Sequence, residues 1–409
     1  MNILVTPNFQ IVNTNNNNKQ KFLPLRSFNM PKYNNTLVKD TVSFSGKTSI
    51  IGNAIEQSYL SRVEKFIDYA KNFHNALKNA CDELADLGFT YDEVYNSKHP
   101  IKSFDSYVDK YERQGYVQDT VRGTVYWTDP SNIGSFKKFL EVMKEKGYEP
   151  AVIRVLNQKT GKLDKLPDLE IRQNGISKED LAPLGPFLQK SEISKPRSST
   201  YADYQMRFVP ISKKGKNENK QTLELIMLYG PHYAKAKELE SKYVYNIARS
   251  FDKLHIDTKT KYAENTPGRR ISNNIDVIKT RLREDISKPL FMNAYNADLK
   301  VKGEEKLPIV ISKVHAKMLD GYMSGIRQKI PMYYKEMKQK IQSDEYIISL
   351  IKNSSDYEIR EDKTITPEEI IRYREFFKAR LEVMESDDIS NIAKTQEMLK
   401  ETLSKYAEK

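Results

Sequence analysis

From about 54 to 88 apolar residues recur every three or four positions: Ile55, Tyr59, Val63, Phe66, Ile67, Ala70, Phe73, Leu77 and Leu84. That spacing predicts one long amphipathic helix, which Gly88 ends. A shorter helix over about 102–112, a strand over 119–127, a helix over 131–146 closed by Gly147, and a strand over 150–156 follow. YADYQMRFV, at 201–209, alternates strictly: Ala202, Tyr204, Met206 and Phe208 face one way, and Tyr201, Asp203, Gln205 and Arg207 the other. In TLELIMLY, at 222–229, Leu223, Leu225 and Met227 form the buried set and Glu224 points away. The loop KKGKNENKQ between them makes a hairpin the natural pairing. Gly230-Pro231 then opens a helix to about Phe251. Past 255 the chain reads as a polar linker around 266–274 followed by charged helices, one starting at Thr366-Pro367-Glu368-Glu369 with Thr as N-cap. The predicted class is α+β, a mixed β-sheet flanked by helices with a helical C-terminal extension.

Composition sharpens the division of the chain. A length of 409 residues suits two domains. The first 50 residues, with NTNNNNKQ and few acids, read as a disordered leader, with a folded domain over 54–251 and a helical region over 255–409. DTVSFSG, at 40–46, suggests a short strand or a tag and carries no evident chemistry. No apolar run reaches the roughly 18 to 20 residues of a membrane span. The start is too short and uncharged for an ordinary signal peptide. The lone Cys81 excludes an internal disulfide and makes a reducing cytoplasm the default. A formal charge of +12, from 67 basic and 55 acidic residues, fits a polyanionic partner and fits plain solubility equally well.

Candidate chemistry gathers in a few places. In KSFDSYVDK, Lys102, Ser106 and Lys110 stand at i, i+4 and i+8, on one helix face, where two ammonium groups and a hydroxyl suit a triphosphate. A solvated face explains the same lysines. Asp119 opens its strand, and Glu224 lies between two buried leucines. The pair suits magnesium, which takes one or two carboxylates plus substrate phosphates, although a strand-mouth acid is more often a turn cap. In a regular strand Asp119 and Arg122 face opposite ways, so a late strand start or a bulge is needed to unite them. Lys195 and Arg197 fit a phosphate-binding loop just before Tyr201.

Taken in order, KSFDSYVDK (102–110), QDTVRGTVYW (118–127), KPRSSTYADYQMRF (195–208) and LELIMLYGPHYAKAKELESKYVYNIAR (223–249) resemble the four blocks of the RelA/SpoT-like nucleotidyltransferase domain. The resemblance covers roughly 60–251 and implies a nucleotidyltransferase-like sheet. It also implies a Mg²⁺-dependent transfer of diphosphate from ATP to a ribose 3′-hydroxyl. The acceptor would be a guanine nucleotide, as in guanosine tetraphosphate metabolism, or an RNA end such as that of tRNA. It gives Asp119 the metal and Glu224 the metal or the acceptor hydroxyl. Lys102, Ser106, Lys110, Arg122, Lys195 and Arg197 fall to the nucleotides, and Tyr201 to stacking on the acceptor base. The chain departs from the pattern at Pro100, where an arginine is usual, at Thr200 and Ala202 beside the tyrosine, and at Lys242, where a histidine is common. These changes spare the acids and lysines and alter base recognition, which suggests a divergent member with its own acceptor. None of His74, His99, His232, His255 and His315 precedes an Asp, so the companion hydrolase's His-Asp site is missing. Two other readings stay open: an inactive nucleotide- or protein-binding module whose helical C-terminal region meets a protein partner, and a scaffold whose polar strand faces are solvated.

Overall fold

A computed structural model describes residues 11–12, 21–22, 50–104, 106–108, 110, 117, 119–151, 153–156, 163–166, 168–173, 175–188, 190–194, 201–211, 222–257, 262–354, 357–358 and 361–409. Apart from Ile11–Val12 paired with Lys21–Phe22, the expected leader lies outside these residues, as do Lys195, Arg197 and most of the hairpin loop.

Helix α1 (Ile50–Glu83) buries Tyr59, Phe66, Ala70, Phe73, Leu77, Ala80 and Cys81, a stripe with helical period. A 3₁₀ turn follows, and Gly88 stops the run at φ +82°, where a side chain would be strained. Ile67, expected on the apolar face, is exposed, because the stripe passes through its neighbour Phe66. Next come β1 (Phe89–Tyr91), α2 (Glu93–Lys98), β2 (Val121–Trp127), α3 (Ile133–Glu145), β3 (Tyr148–Pro150), β4 (Leu169–Arg172), β5 (Ser191–Ser194), β6 (Tyr204–Pro210) and β7 (Leu223–Leu228). Helix α4 (Pro231–Glu240) runs through a π turn at Ser241–Tyr245 into α5 (Asn246–Phe251). The expected strand over 150–156 is divided: β3 joins the main sheet, and Ile153–Leu156 pairs with Leu163–Leu166 in a separate ribbon.

Among the described residues the sheet has seven strands in the order β1-β2-β7-β6-β4-β5, with β3 also on β6. β2 and β7 run parallel, as do β4 and β5, while β6–β7 is the antiparallel pair expected of the hairpin. The sheet is therefore mixed. One face carries Val121, Val125, Leu223, Leu225, Met206 and Phe208 into the core against α1 and α3, where Phe73 meets Phe208 at 6.0 Å and Phe89 stacks on Trp127 at 5.3 Å. Gly123 lets α1 lie this close, since a Cβ there would come within 2.3 Å of Leu77 Cδ1. Glu224 faces away from this core, yet every residue of β7 is buried, so the polar side of this strand is not the open, solvated face a scaffold would show.

The described chain falls into two units. One comprises Val38–Lys237 and Leu290–Leu307; the other comprises Glu238–Pro289 and Pro308–Lys409. The division thus comes after Lys237 rather than near Phe251. The reason is that Tyr243 and Asn246–Phe251 belong with the long C-terminal helix: Thr402 Oγ1 donates to the Tyr243 carbonyl at 3.0 Å. The second unit is built from α6 (Pro267–Leu282), most of the chain around α8 (Lys313–Lys340), α9 (Asp344–Lys352) and α10 (Pro367–Tyr406), while α7 (Lys288–Asp298) leads back into the first. The stretch read as a linker is the start of α6, capped by Thr266 and burying Ile271, Ile275, Ile278 and Leu282. The predicted cap at Thr366 forms, its Oγ1 accepting the Glu369 N–H at 3.2 Å. No helix among the described residues is long and apolar enough to cross a membrane.

Candidate functional site

β2 begins at Val121, two residues later than the alternation suggested, so Asp119 and Thr120 precede the strand. The late start removes the opposite-face problem. Arg122, on the face away from α1, turns back to Asp119, with its Nη2 3.3 Å from Oδ2 and its Nε 3.2 Å from the Asp119 carbonyl. On the neighbouring parallel strand Glu224 sits in register with Arg122, and its Oε2 lies 3.9 Å from Arg122 Nε. Both carboxylates therefore meet one guanidinium, on one side of the sheet.

The lysines arrive from a segment outside the sheet. Lys102 is not on the helix face; it lies just before the helical residues 104, 106–108 and 110, with its N–H donating to the Thr120 carbonyl at 2.7 Å. Its ammonium nevertheless reaches Asp119 Oδ2 at 2.9 Å, and that of Lys110 reaches the same oxygen at 2.8 Å. Ser106 stays out of the cluster, exposed and accepting from the Ser103 hydroxyl at 3.0 Å. Tyr59, from α1, donates to the Lys102 carbonyl at 3.0 Å and fixes this segment.

Electrostatics here are lopsided. Lys102, Asp119 and Glu224 are each no more than 7 % exposed. Burial alone would raise the Asp119 pKa, but Arg122, Lys110 and Lys102 outweigh it and hold the carboxyl well below the ordinary range. Lys102 moves the other way: burial and the nearby Arg122 bring it down to about 8 despite Asp119. Three cations face two carboxylates, and Asp119 Oδ1 is buried without a hydrogen-bond partner among the described residues. An excess of buried cation suits an anion. The orphaned Asp119 Oδ1 and the loosely held Glu224 carboxylate fit magnesium, which needs no more than these when phosphates complete its shell. No cluster of three or more His, Cys, Asp or Glu suited to a metal occurs among the described residues.

Tyr201 stands apart from these ion pairs. Its hydroxyl donates to Asp203 Oδ2 at 2.7 Å, and burial with that carboxylate raises its pKa well above the ordinary value. Its ring packs on Phe291 at 5.1 Å and Tyr233 at 6.1 Å. Asp203 belongs to a network absent from the sequence reading. Arg172 Nη1 reaches both its oxygens, at 3.0 and 3.2 Å, while Nε and Nη2 take Glu170 and Nη2 also takes Gln205. Alternation on β4 and β6 carried the signal, since Glu170 and Arg172, like Asp203 and Gln205, share a face. A second missed residue is Lys237, whose ammonium lies 5.7 Å from the centroid of the Tyr201 ring. Its helical phase, one turn after the buried Tyr233, separates it from the exposed Lys235.

No family model matches the chain, and neither a curated protein nor a solved structure matches it.

Proposed function

We propose that the chain is a Mg²⁺-dependent diphosphotransferase of the alarmone-synthetase type, working in the cytoplasm on ATP and a ribose 3′-hydroxyl. The acceptor is a guanine nucleotide or an RNA end. The observation that carries the reading is the meeting of Asp119 and Glu224 at Arg122, with two lysines on the same carboxylate. Phosphoryl-type transfer asks a protein mainly for positioning and charge neutralisation. Lys102, Lys110 and Arg122 would grip the phosphates, and Asp119 holds the three cations in place before a ligand arrives. Asp119 and Glu224 would hold magnesium, which neutralises phosphate charge. Glu224 is also the carboxylate placed to take the acceptor's proton. Tyr201 would orient the acceptor, but with a ring packed against Phe291 and Tyr233.

The occupied state of Asp119 favours a second reading, a nucleotide-binding module without turnover, because Arg122 stands between the two acids. Incubating the full chain with γ-labelled ATP, magnesium and GDP, GTP or tRNA separates the two. Transfer that disappears in Asp119→Asn and Glu224→Gln supports the enzyme. Magnesium-dependent ATP binding without transfer to any acceptor supports the module. Failure to bind ATP overturns both.

A further inference from the structure

We infer that Arg122 keeps the metal's place in the empty protein, so that a divalent cation enters between Asp119 and Glu224 only as phosphate draws the guanidinium away. The inference deepens the reading above and rests on its assignment of the two acids to magnesium. Two buried carboxylates on one side of the sheet repel each other unless a cation joins them. Arg122 is such a cation, because its guanidinium meets both.

Three features mark it as a replaceable one. Its contacts are long, 3.3 Å from Nη2 to Asp119 Oδ2 and 3.9 Å from Nε to Glu224 Oε2. Charge-assisted bonds run to about 2.7–2.9 Å, and Lys102 and Lys110 hold the same Asp119 oxygen at 2.9 and 2.8 Å. Arg122 is also the most open of the three cations, with a side chain 25 % exposed against 7 % for Lys102 and 20 % for Lys110. Finally, with Arg122 in place Asp119 Oδ1 is still buried without a hydrogen-bond partner, so the arginine leaves part of the seat unused. A guanidinium takes phosphate through two parallel bonds, and magnesium takes one or two carboxylates together with phosphates. A metal–triphosphate therefore offers Arg122 a new anion as the metal takes its acids. A metal arriving alone would strand the arginine beside two lysines.

The test uses Mn²⁺ as the probe metal on the full chain, read by water-proton relaxation and by melting temperature. The proteins compared are wild type, Arg122→Met, Arg122→Lys and Arg122→Met combined with Glu224→Gln. Arg122→Met should bind Mn²⁺ alone about tenfold more tightly than wild type or better, because a positive charge and a competing occupant are gone. Arg122→Lys should stay within about threefold of wild type, since the charge is kept. Mn²⁺ should raise the melting temperature of Arg122→Met and leave that of wild type unchanged. Adding Glu224→Gln should abolish the gain. Equal Mn²⁺ affinity in wild type and Arg122→Met overturns the inference. So does a gain that survives Glu224→Gln, because the metal then binds outside the pair. Wild type decides the point by itself where the variants do not fold. At equal free Mn²⁺, tightening by inorganic tripolyphosphate of about tenfold or more supports the inference, and no tightening overturns it. If wild type binds neither Mg-ATP nor tripolyphosphate while Arg122→Met still captures Mn²⁺, the diphosphotransferase reading falls and the seat kept by Arg122 stands.

Discussion

Two buried charge clusters share the outer face of one sheet. Around Arg172 every donor nitrogen has an acceptor: Asp203, Glu170 and Gln205 take its N–H groups, and Tyr201 donates to Asp203. Around Asp119 three cations compete for one oxygen while the other oxygen has no partner among the described residues. A saturated network is what stability and a unique fold require. A cluster with three cations on one oxygen and an orphaned acceptor beside it is what a ligand site looks like before its ligand arrives. The same residue types thus do different work, and hydrogen-bond saturation separates them better than burial does.

The contrast is most exposed to Arg172→Met. Removing the central guanidinium leaves Asp203 buried without its main counter-charge, and we expect a loss of about 3–5 kcal/mol in denaturant unfolding. A loss below about 1 kcal/mol would show that the network is not structural. Lys102→Met, in the other cluster, should change stability by no more than about 1 kcal/mol, because the lost ion pair is offset by relief from burial and from Arg122. Its effect should appear in polyphosphate affinity instead. A comparable loss of stability in both variants would erase the distinction.

Lys102 also supplies a pH signature. Its folded pKa of about 8 lies below its ordinary value of 10.5, so between these the unfolded chain holds more protons and this group's contribution to stability rises with pH. A bound anion should lift the folded pKa. At pH 8 tripolyphosphate binding should then be accompanied by uptake of up to about half a proton from this lysine, read by calorimetry in buffers of different ionisation enthalpy. Proton release would contradict the picture. The smallest effect is expected for Ser106→Ala, exposed and hydrogen-bonded to Ser103: stability and affinity should stay within about 0.5 kcal/mol of wild type.

Periodicity made much of this legible. The strict alternation of 201–209 placed Tyr204, Met206 and Phe208 in the core, and the Thr366-Pro367 signature located the start of α10. The same logic was present at Thr266-Pro267, where Ile271, Ile275, Ile278 and Leu282 keep helical spacing, but arginines and asparagines between them gave the stretch a linker's composition. In the site, Asp119, Arg122, Lys110 and Glu224 were visible as types at suggestive positions. That Lys102 reaches Asp119 from outside a helix depends on its pairing with Thr120, a long-range bond that local spacing does not encode. Arg172 and Lys237 escaped because Asp203, Gln205 and Tyr201 reach them from other elements. Phe291 meets Tyr201, and Tyr295 meets Tyr229, across long stretches of chain, beyond the reach of any local pattern.

That last contribution bears on how the protein is made. Tyr201, Tyr229 and Tyr233 leave the ribosome well before Phe291, Tyr295 and Asp298, the residues that cover their rings and cap α4. The sheet unit therefore cannot close when its last strand is finished and must wait while Glu238–Pro289 is synthesised. A polypeptide stopped at Phe251 should bind a hydrophobic dye and melt without cooperativity. The first segment of the helical unit, Glu238–Pro289, is thus made before the sheet unit has all its residues.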